Sequence, residues 1–291
     1  RSIVKRIGRE SGFASLGQQL SAIGYDSVFV YGGRGYFDNM NAFFSGNGYR
    51  VVDQSSEPET EISFKNAWGM ADEDLYKQTL KLADADYAKQ QPFLLQLMTT
   101  SNHRPYTYPA DRIDIPSGEG RDGAVKYTDY AIGQFLNDAR KKPWFDNTIF
   151  VFVADHVSSE KFAEETRSYP GNMHIIGFIY TPDGALRGEV GEITQQLDIM
   201  PTLLGLTGNR EPYFAFGRDV LNEPQRPRWS VSYDGRFRAL TGEGAIVLDD
   251  SDMNVQECPA TPAADSLAQN FRALVQQYYT HIEKKNYTAN D

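Results

Sequence analysis

With 291 residues, 40% of them hydrophobic and 13% aromatic, the chain has the apolar mass for a large core and lies outside the composition of disordered segments. A formal net charge of -10, with the basic residues scattered and no Lys/Arg run, gives no electrostatic footprint for nucleic acid. The single cysteine, Cys258, excludes an internal disulfide framework and a cysteine-based zinc site, and no stretch reaches the roughly 18 consecutive apolar residues of a membrane span.

In chain order, Leu16, Leu20 and Ile23 fall at helical spacing before Gly24 and predict a helix over 15–23, followed by a buried strand, Ser27-Val-Phe-Val-Tyr31. Phe37 to Phe44 reads as a short helix closed by Gly46 and Gly48, with a strand over 49–52 after it. A helix over 73–90, with Leu75, Leu80 and Leu82 on its apolar face, leads into the strand Pro92-Phe-Leu-Leu-Gln-Leu-Met98. Continuous apolar runs of this kind suit strands covered on both faces. Tyr127, Tyr130, Ala131, Phe135 and Leu136 predict a long helix over 124–141, then come strands over 148–153 and 175–180 and a short helix over 198–206, with Asp198 as its N-cap. This alternation predicts an α/β fold with a mostly parallel central sheet flanked by helices.

The tail has a different pattern. Residues 229–233, 236–240 and 245–248 predict antiparallel strands joined by Asp-Gly and Gly-Glu-Gly turns. Trp229, Tyr233 and Phe237 would form a small core. A loop around Cys258 precedes a terminal helix over 264–285, with Leu267, Phe271, Leu274 and Tyr278 on one face. A boundary in the loop 222–228 separates a larger domain, 1–221, from a small C-terminal α+β unit, 229–291. The first residue is Arg1 and no signal peptide opens the chain, so the sequence reads as a cut or processed piece with any targeting or anchoring segment upstream.

Ligands of open α/β sheets bind beyond the carboxyl ends of the strands. His156 follows the strand ending at Val153, and His103 follows the one ending near Thr100. His174 stands at the start of a strand, where only an inward loop would bring it to that end. His281, near Lys284 and Lys285, reads as a solvated residue of the terminal helix. The Asp155-His156 pair offers a hard carboxylate oxygen and an imidazole nitrogen on consecutive loop residues, a set that suits a divalent metal, although ordinary loop hydrogen bonding also accounts for such a dipeptide. Glycines 32, 33 and 35 permit close backbone approach without forming a Walker loop. Arg34 among them is either a solvated arginine or a guanidinium fork for phosphate.

Ala154-Asp-His156 after a hydrophobic strand resembles the Asp-His metal motif of the alkaline phosphatase superfamily, which includes sulfatases and phosphoglycerol transferases. More narrowly, Thr99-Thr-Ser-Asn-His-Arg-Pro-Tyr106, the passage from Tyr130 through Phe145-Asp-Asn-Thr148 to Phe150, Gln196-Leu-Asp-Ile-Met-Pro-Thr-Leu-Leu204 and Phe216-Gly-Arg-Asp-Val-Leu221 are similar in order and type to segments of lipoteichoic acid synthases and periplasmic phosphoglycerol transferases. The resemblance implies an alkaline-phosphatase-like (sulfatase-like) fold. It also implies a metal-dependent enzyme that moves phosphoglycerol from phosphatidylglycerol to a glycan or polyglycerol-phosphate acceptor through a covalent phospho-threonine. Asp155 and His156 would hold manganese, with magnesium or zinc as alternatives, and His103 would hydrogen-bond the phosphoryl group. His174 would be either a substrate-binding position or a structural one. The partners implied are a phospholipid head group, a glycan acceptor and the membrane, at the periplasmic or extracellular face of a bacterial cytoplasmic membrane.

Two departures from that family are visible. Its threonine nucleophile and an acidic metal ligand correspond to positions upstream of Arg1, and neither Thr99 nor Thr100 takes the nucleophile's place, so this chain by itself is expected to be inactive. Where the family carries His, Trp and Arg in the loop 31–40, this chain has Tyr31, Asp38 and Met40, which leaves Arg34 as the local phosphate-binding candidate. The alternatives are a phosphatase or sulfatase-type hydrolase, or a non-catalytic binding module of the same fold. Sulfate-ester cleavage is disfavoured because Cys258-Pro-Ala-Thr lacks the arginine of a formylglycine motif.

Overall fold

Strands covered on both faces need apolar side chains at successive positions, and the first sheet is built that way. The computed structural model describes residues 3–284 except 57, 159, 161–162, 224–227 and 250, in two compact units, 1–148 and 149–291.

In the first unit, helix α1 (Leu16–Ala22) starts at Ser15, whose hydroxyl accepts the Gln18 N–H at 3.1 Å, and leads to strand β1 (Asp26–Tyr31). Helix α2 (Met40–Ser45) and strand β2 (Arg50–Asp53) follow, then helix α3 (Asp72–Ala88), strand β3 (Phe93–Met98) and helix α4 (Arg121–Ala139). The order β2-β1-β3 is parallel throughout, with Val28 opposite Arg50 and Asp26 opposite Phe93. On one face Val28, Val30 and Val52 pack with Met70 and Leu75. On the other, Phe29 joins Tyr31 and Tyr49 and stacks on Phe44 at 3.6 Å between centroids. Tyr127 of α4 is fully buried, stacks on Tyr108 at 4.8 Å and donates its hydroxyl to Glu73 at 3.0 Å.

The second unit opens with strand β4 (Phe150–Val153), which pairs with strand β5 (Gly177–Tyr180). Here the pairing is antiparallel, Val153 opposite Gly177, rather than the parallel arrangement of the first sheet. The reason lies in the connection. A parallel return calls for a crossover, usually a helix, whereas the described part of 154–176 contains only the short 3₁₀ turns 164–166 and 171–173. Helix α5 (Ile199–Leu206) follows a 3₁₀ turn, Gln196–Asp198.

Asp198 is not the side-chain N-cap of α5. It is the third residue of a capping box whose cap is Gln195, and its carboxylate accepts the Gln195 N–H at 3.0 Å and the Arg218 N–H at 2.9 Å. The 3₁₀ turn starts the helix early, so Asp198 already has helical dihedrals and its carboxylate joins the segments 196–204 and 216–221.

The tail forms a four-stranded antiparallel sheet, β6 (Trp229–Tyr233), β7 (Arg236–Thr241), β8 (Gly244–Asp249) and β9 (Val255–Glu257). Phe237, Ala239, Ile246 and Leu248 pack on Phe271 and Val275 of helix α6 (Ala264–Lys284). The fourth strand lies where the sequence predicts loop, because its three residues gain their strand character from pairing with β8. Trp229 and Phe237 enter the core as expected, but Tyr233 stays 54% exposed. His281 is not a solvated residue: its ring packs on Phe214 at 4.6 Å and Phe216 at 5.9 Å. Of the predicted boundary loop, residues 224–227 lie outside the described residues, as does Lys285 of the predicted helix. No helix among the described residues is long and apolar enough to cross a membrane.

Candidate active site

In the first unit, the glycine-rich loop after β1 is pinned to its neighbours. Gly32 N–H donates to Met98 O at 3.1 Å, Gln54 N–H donates to Gly33 O at 2.9 Å, and Gly35 N–H donates to the Asp53 carboxylate at 2.7 Å. A Cβ on Gly33 would lie 2.5 Å from Trp68 O, so only glycine fits that approach. Burial opposes ionisation of Asp53, but hydrogen bonds from Ser55, Gly35 and Ser56 outweigh it and hold this carboxyl below its usual range. Asp53 therefore stands ionised behind the loop that presents Arg34. The Arg34 side chain is exposed and, after the nearer Lys65, helps to hold the exposed Glu59 carboxyl below its usual range.

The loop after β3 is latched at both ends. Thr100 N–H and Ser101 N–H both donate to Asp72 Oδ1, at 3.2 and 3.0 Å. Further along, Asn66 Nδ2 donates to Thr107 Oγ1 at 3.0 Å. Between these latches His103 is exposed, with Nδ1 facing Arg104 O at 3.2 Å and its ring centroid 3.6 Å from that of Trp68. The Thr100 hydroxyl is buried and donates to Met70 O at 3.0 Å, a structural role. Asp53, Asn66, Trp68 and Asp72 were not singled out from the sequence. Their partners lie 18 to 41 positions away, and the one available local signal was Asn66-Ala-Trp-Gly69, an Asx-type turn.

In the second unit, Asp155 and His156 follow the end of β4. Because β5 runs antiparallel, its start lies at the same end, and the ladder continues through Ala154 N–H to Ile176 O at 3.1 Å. His174 thereby joins His156 in lining one cavity of about 370 Å³ with Glu160 and Thr166. Sequence order alone put His174 at the wrong end. Asp155 Oδ1 accepts the His156 N–H at 2.9 Å, and Asp155 Oδ2 lies 3.6 Å from His156 Nε2. Both side chains are more than two-thirds exposed. Gln196 holds this loop from outside, its amide donating to Ala154 O and Asp155 O, both at 2.9 Å. Its position in the motif 196–204 offered no cue to that contact.

Two ligands of one tetrahedral cation stand about 3.4 Å apart at ordinary bond lengths, so the Asp155 and His156 donors suit a shared divalent ion. They are a partial donor set: among the described residues, no three His, Cys, Asp or Glu side chains are grouped to hold a metal.

Parallel strands flanked by helices, with Arg34 beyond β1 and His103 beyond β3, make the first unit an α/β fold, and the comparisons identify the fold as alkaline-phosphatase-like. A solved structure of an alkaline phosphatase superfamily protein from Vibrio parahaemolyticus superposes over 99% of this chain and 72% of its own, with a TM-score of 0.84 and 30% identity. The lipoteichoic acid synthase LtaP of Listeria monocytogenes shares the fold, with a TM-score of 0.75, 20% identity, and coverage of 99% of this chain and 78% of its own. The sulfatase family model matches residues 2–209; the chain belongs to the sulfatase family. Among curated proteins it is 27% identical to lipoteichoic acid synthase 2 of Bacillus subtilis over 227 residues, 71% of this chain and 34% of that protein. The chain thus spans about a third of that relative's length.

Proposed function

We propose that this chain is the catalytic part of a phosphoglycerol transferase that takes phosphoglycerol from phosphatidylglycerol and passes it to a glycan or polyglycerol-phosphate acceptor. The observation that carries this reading is the antiparallel return of β5, through which His174 shares a cavity with His156 beside Asp155. The relatives named as lipoteichoic acid synthases support it. Asp155 and His156 would hold a divalent ion, manganese first and magnesium or zinc as alternatives. When bound, that ion supplies Lewis-acid polarisation of phosphoryl oxygens and acidifies an attacking hydroxyl.

His103 Nε2 would donate to a phosphoryl oxygen, and the Arg34 fork would take a second one. His174 would contact substrate from the cavity wall. The covalent step would fall to a threonine outside these 291 residues, as the family resemblance implies, with attack at phosphorus releasing diacylglycerol and an acceptor hydroxyl then displacing the threonine oxygen. The working surface would be the outer face of a bacterial cytoplasmic membrane. Within this arrangement we treat 1–221 as the catalytic domain and 229–291 as a small subdomain.

Manganese and zinc calorimetry on this chain and on a form extended upstream through the threonine, each beside Asp155→Ala, tests the metal site. Binding by the extended form that disappears in Asp155→Ala supports it, and transfer from labelled phosphatidylglycerol then tests the chemistry. Release of free glycerol phosphate regardless of acceptor would mark a hydrolase. Absence of metal binding in the extended form would leave the non-catalytic module.

A further inference from the structure

The imidazole of His103 shares its place at the end of β3 with an indole. The Trp68 and His103 rings lie 3.6 Å apart between centroids and are inclined by 34°, and Phe37 meets Trp68 edge-on at 5.6 Å and 83°. The indole belongs to a loop that is fastened at several points. Asn66 Oδ1 accepts the N–H groups of Trp68 and Gly69 at 2.8 and 3.3 Å, and Asn66 N–H donates to Gly69 O at 2.9 Å. Gly69 presses on the strand-end loop so closely that a Cβ there would fall 2.2 Å from Gly32 O. The same Asn66 side chain ties to Thr107, and the Tyr106 N–H donates to His103 O at 2.7 Å. One amide side chain thus fixes both the loop that carries the indole and the loop that carries the imidazole.

An exposed histidine samples several rotamers, and ordering it during binding opposes the reaction. A half-buried indole packed against the ring restricts that search. The Arg104 carbonyl can only accept, so a hydrogen bond at Nδ1 requires a proton there, and Nε2 donates to a phosphoryl oxygen only in the imidazolium form, which carries a proton on both nitrogens. We propose that Trp68 is the positioning residue for His103, setting the imidazole plane so that Nε2 meets a phosphoryl oxygen in the productive orientation. This rests on the assignment of His103 as a phosphoryl-binding group.

The test combines a spectrum with kinetics. In proton–carbon NMR spectra of the full protein, the His103 ring protons, assigned through their loss in His103→Gln, are expected to be shifted upfield by the indole ring current. Trp68→Leu should return them to ordinary values, and Trp68→Phe should keep part of the shift. Glycerol phosphate titrated into the same samples should perturb His103 in the wild type and about tenfold more weakly in Trp68→Leu, with Trp68→Phe between them. In transfer assays Trp68→Leu should lower kcat by about 10- to 100-fold with a smaller change in KM, and should have no further effect in a His103→Gln background.

Wild-type His103 protons without an upfield shift would overturn the ring contact, and an undiminished Trp68→Leu loss in the His103→Gln background would overturn the positioning role. If the protein transfers nothing, the functional reading falls. The ring-current and titration measurements still decide for or against Trp68.

Discussion

Asp72 and Ser101 hold each other by a reciprocal pair of hydrogen bonds: Ser101 N–H donates to Asp72 Oδ1 at 3.0 Å, and Asp72 N–H donates to Ser101 Oγ at 3.1 Å. This joins the first turn of α3 to the loop leaving β3. Asp72 is completely buried, and desolvation raises its pKa despite the opposing hydrogen bonds from Ser101, Thr100 and Thr128. Because the folded state holds the proton to higher pH than the unfolded state, the contribution of Asp72 to stability is full below the unfolded value of about 3.9 and declines as pH rises toward the raised folded value. Urea unfolding across that interval should therefore show a downward slope that Asp72→Asn removes while keeping an acceptor for Thr100 and Ser101. Asp72→Ala strands both buried N–H groups and should lose about 2–4 kcal/mol at neutral pH.

Gly69 offers a second test of the same corner. The Cβ of Gly69→Ala would meet a backbone oxygen, Gly32 O at 2.2 Å, which cannot rotate away as a side chain would. We expect a loss of about 1–3 kcal/mol, read by thermal unfolding, with a change in Trp68 fluorescence in the folded state. Unchanged fluorescence would mean that the 66–69 loop absorbs the methyl group without moving the indole.

Gln196 acts on the other cluster. It touches Asp155 only through backbone oxygens and lies on the surface, so Gln196→Leu should change stability by less than about 1 kcal/mol. Freed from that clamp, the Asp155-His156 loop should bind manganese about 10- to 100-fold more weakly, the range typical of groups that support metal ligands from behind. Calorimetry on the extended protein measures this, and an unchanged affinity would show that the loop holds its shape unaided.

The tail carries its own core, and Phe271 is fully buried in it. Phe271→Ala should lose about 3–5 kcal/mol. If 229–291 is a subdomain, hydrogen exchange should accelerate in β6 to β9 and α6 while β4 and α5 keep their protection. Uniform acceleration across the second unit would argue for a single cooperative body from 149 onward.

Asp198→Ala should lose about 2–3 kcal/mol, because the half-buried N–H of Gln195 and the buried N–H of Arg218 both depend on its carboxylate. Asp198→Asn, which keeps one acceptor oxygen, should lose less. Chemical denaturation of the two variants checks the order.

The sequence by itself determined the strands β1, β3 and β4, the helices α3, α4 and α6, and the strand-end location of His103 and Asp155-His156. Burial repeats every two or 3.6 residues and strand ends are marked by local composition, so these features can be read from a few neighbouring positions. Only the tertiary structure decided that β5 returns antiparallel and carries His174 to the end of β4, that β9 exists, that His281 lies among phenylalanines, and that Trp68, Asp72 and Gln196 stand behind the candidate groups. Those outcomes depend on hydrogen bonds and ring contacts between residues tens of positions apart. Local periodicity reports which face of an element is buried, and it carries no record of which distant segment does the burying.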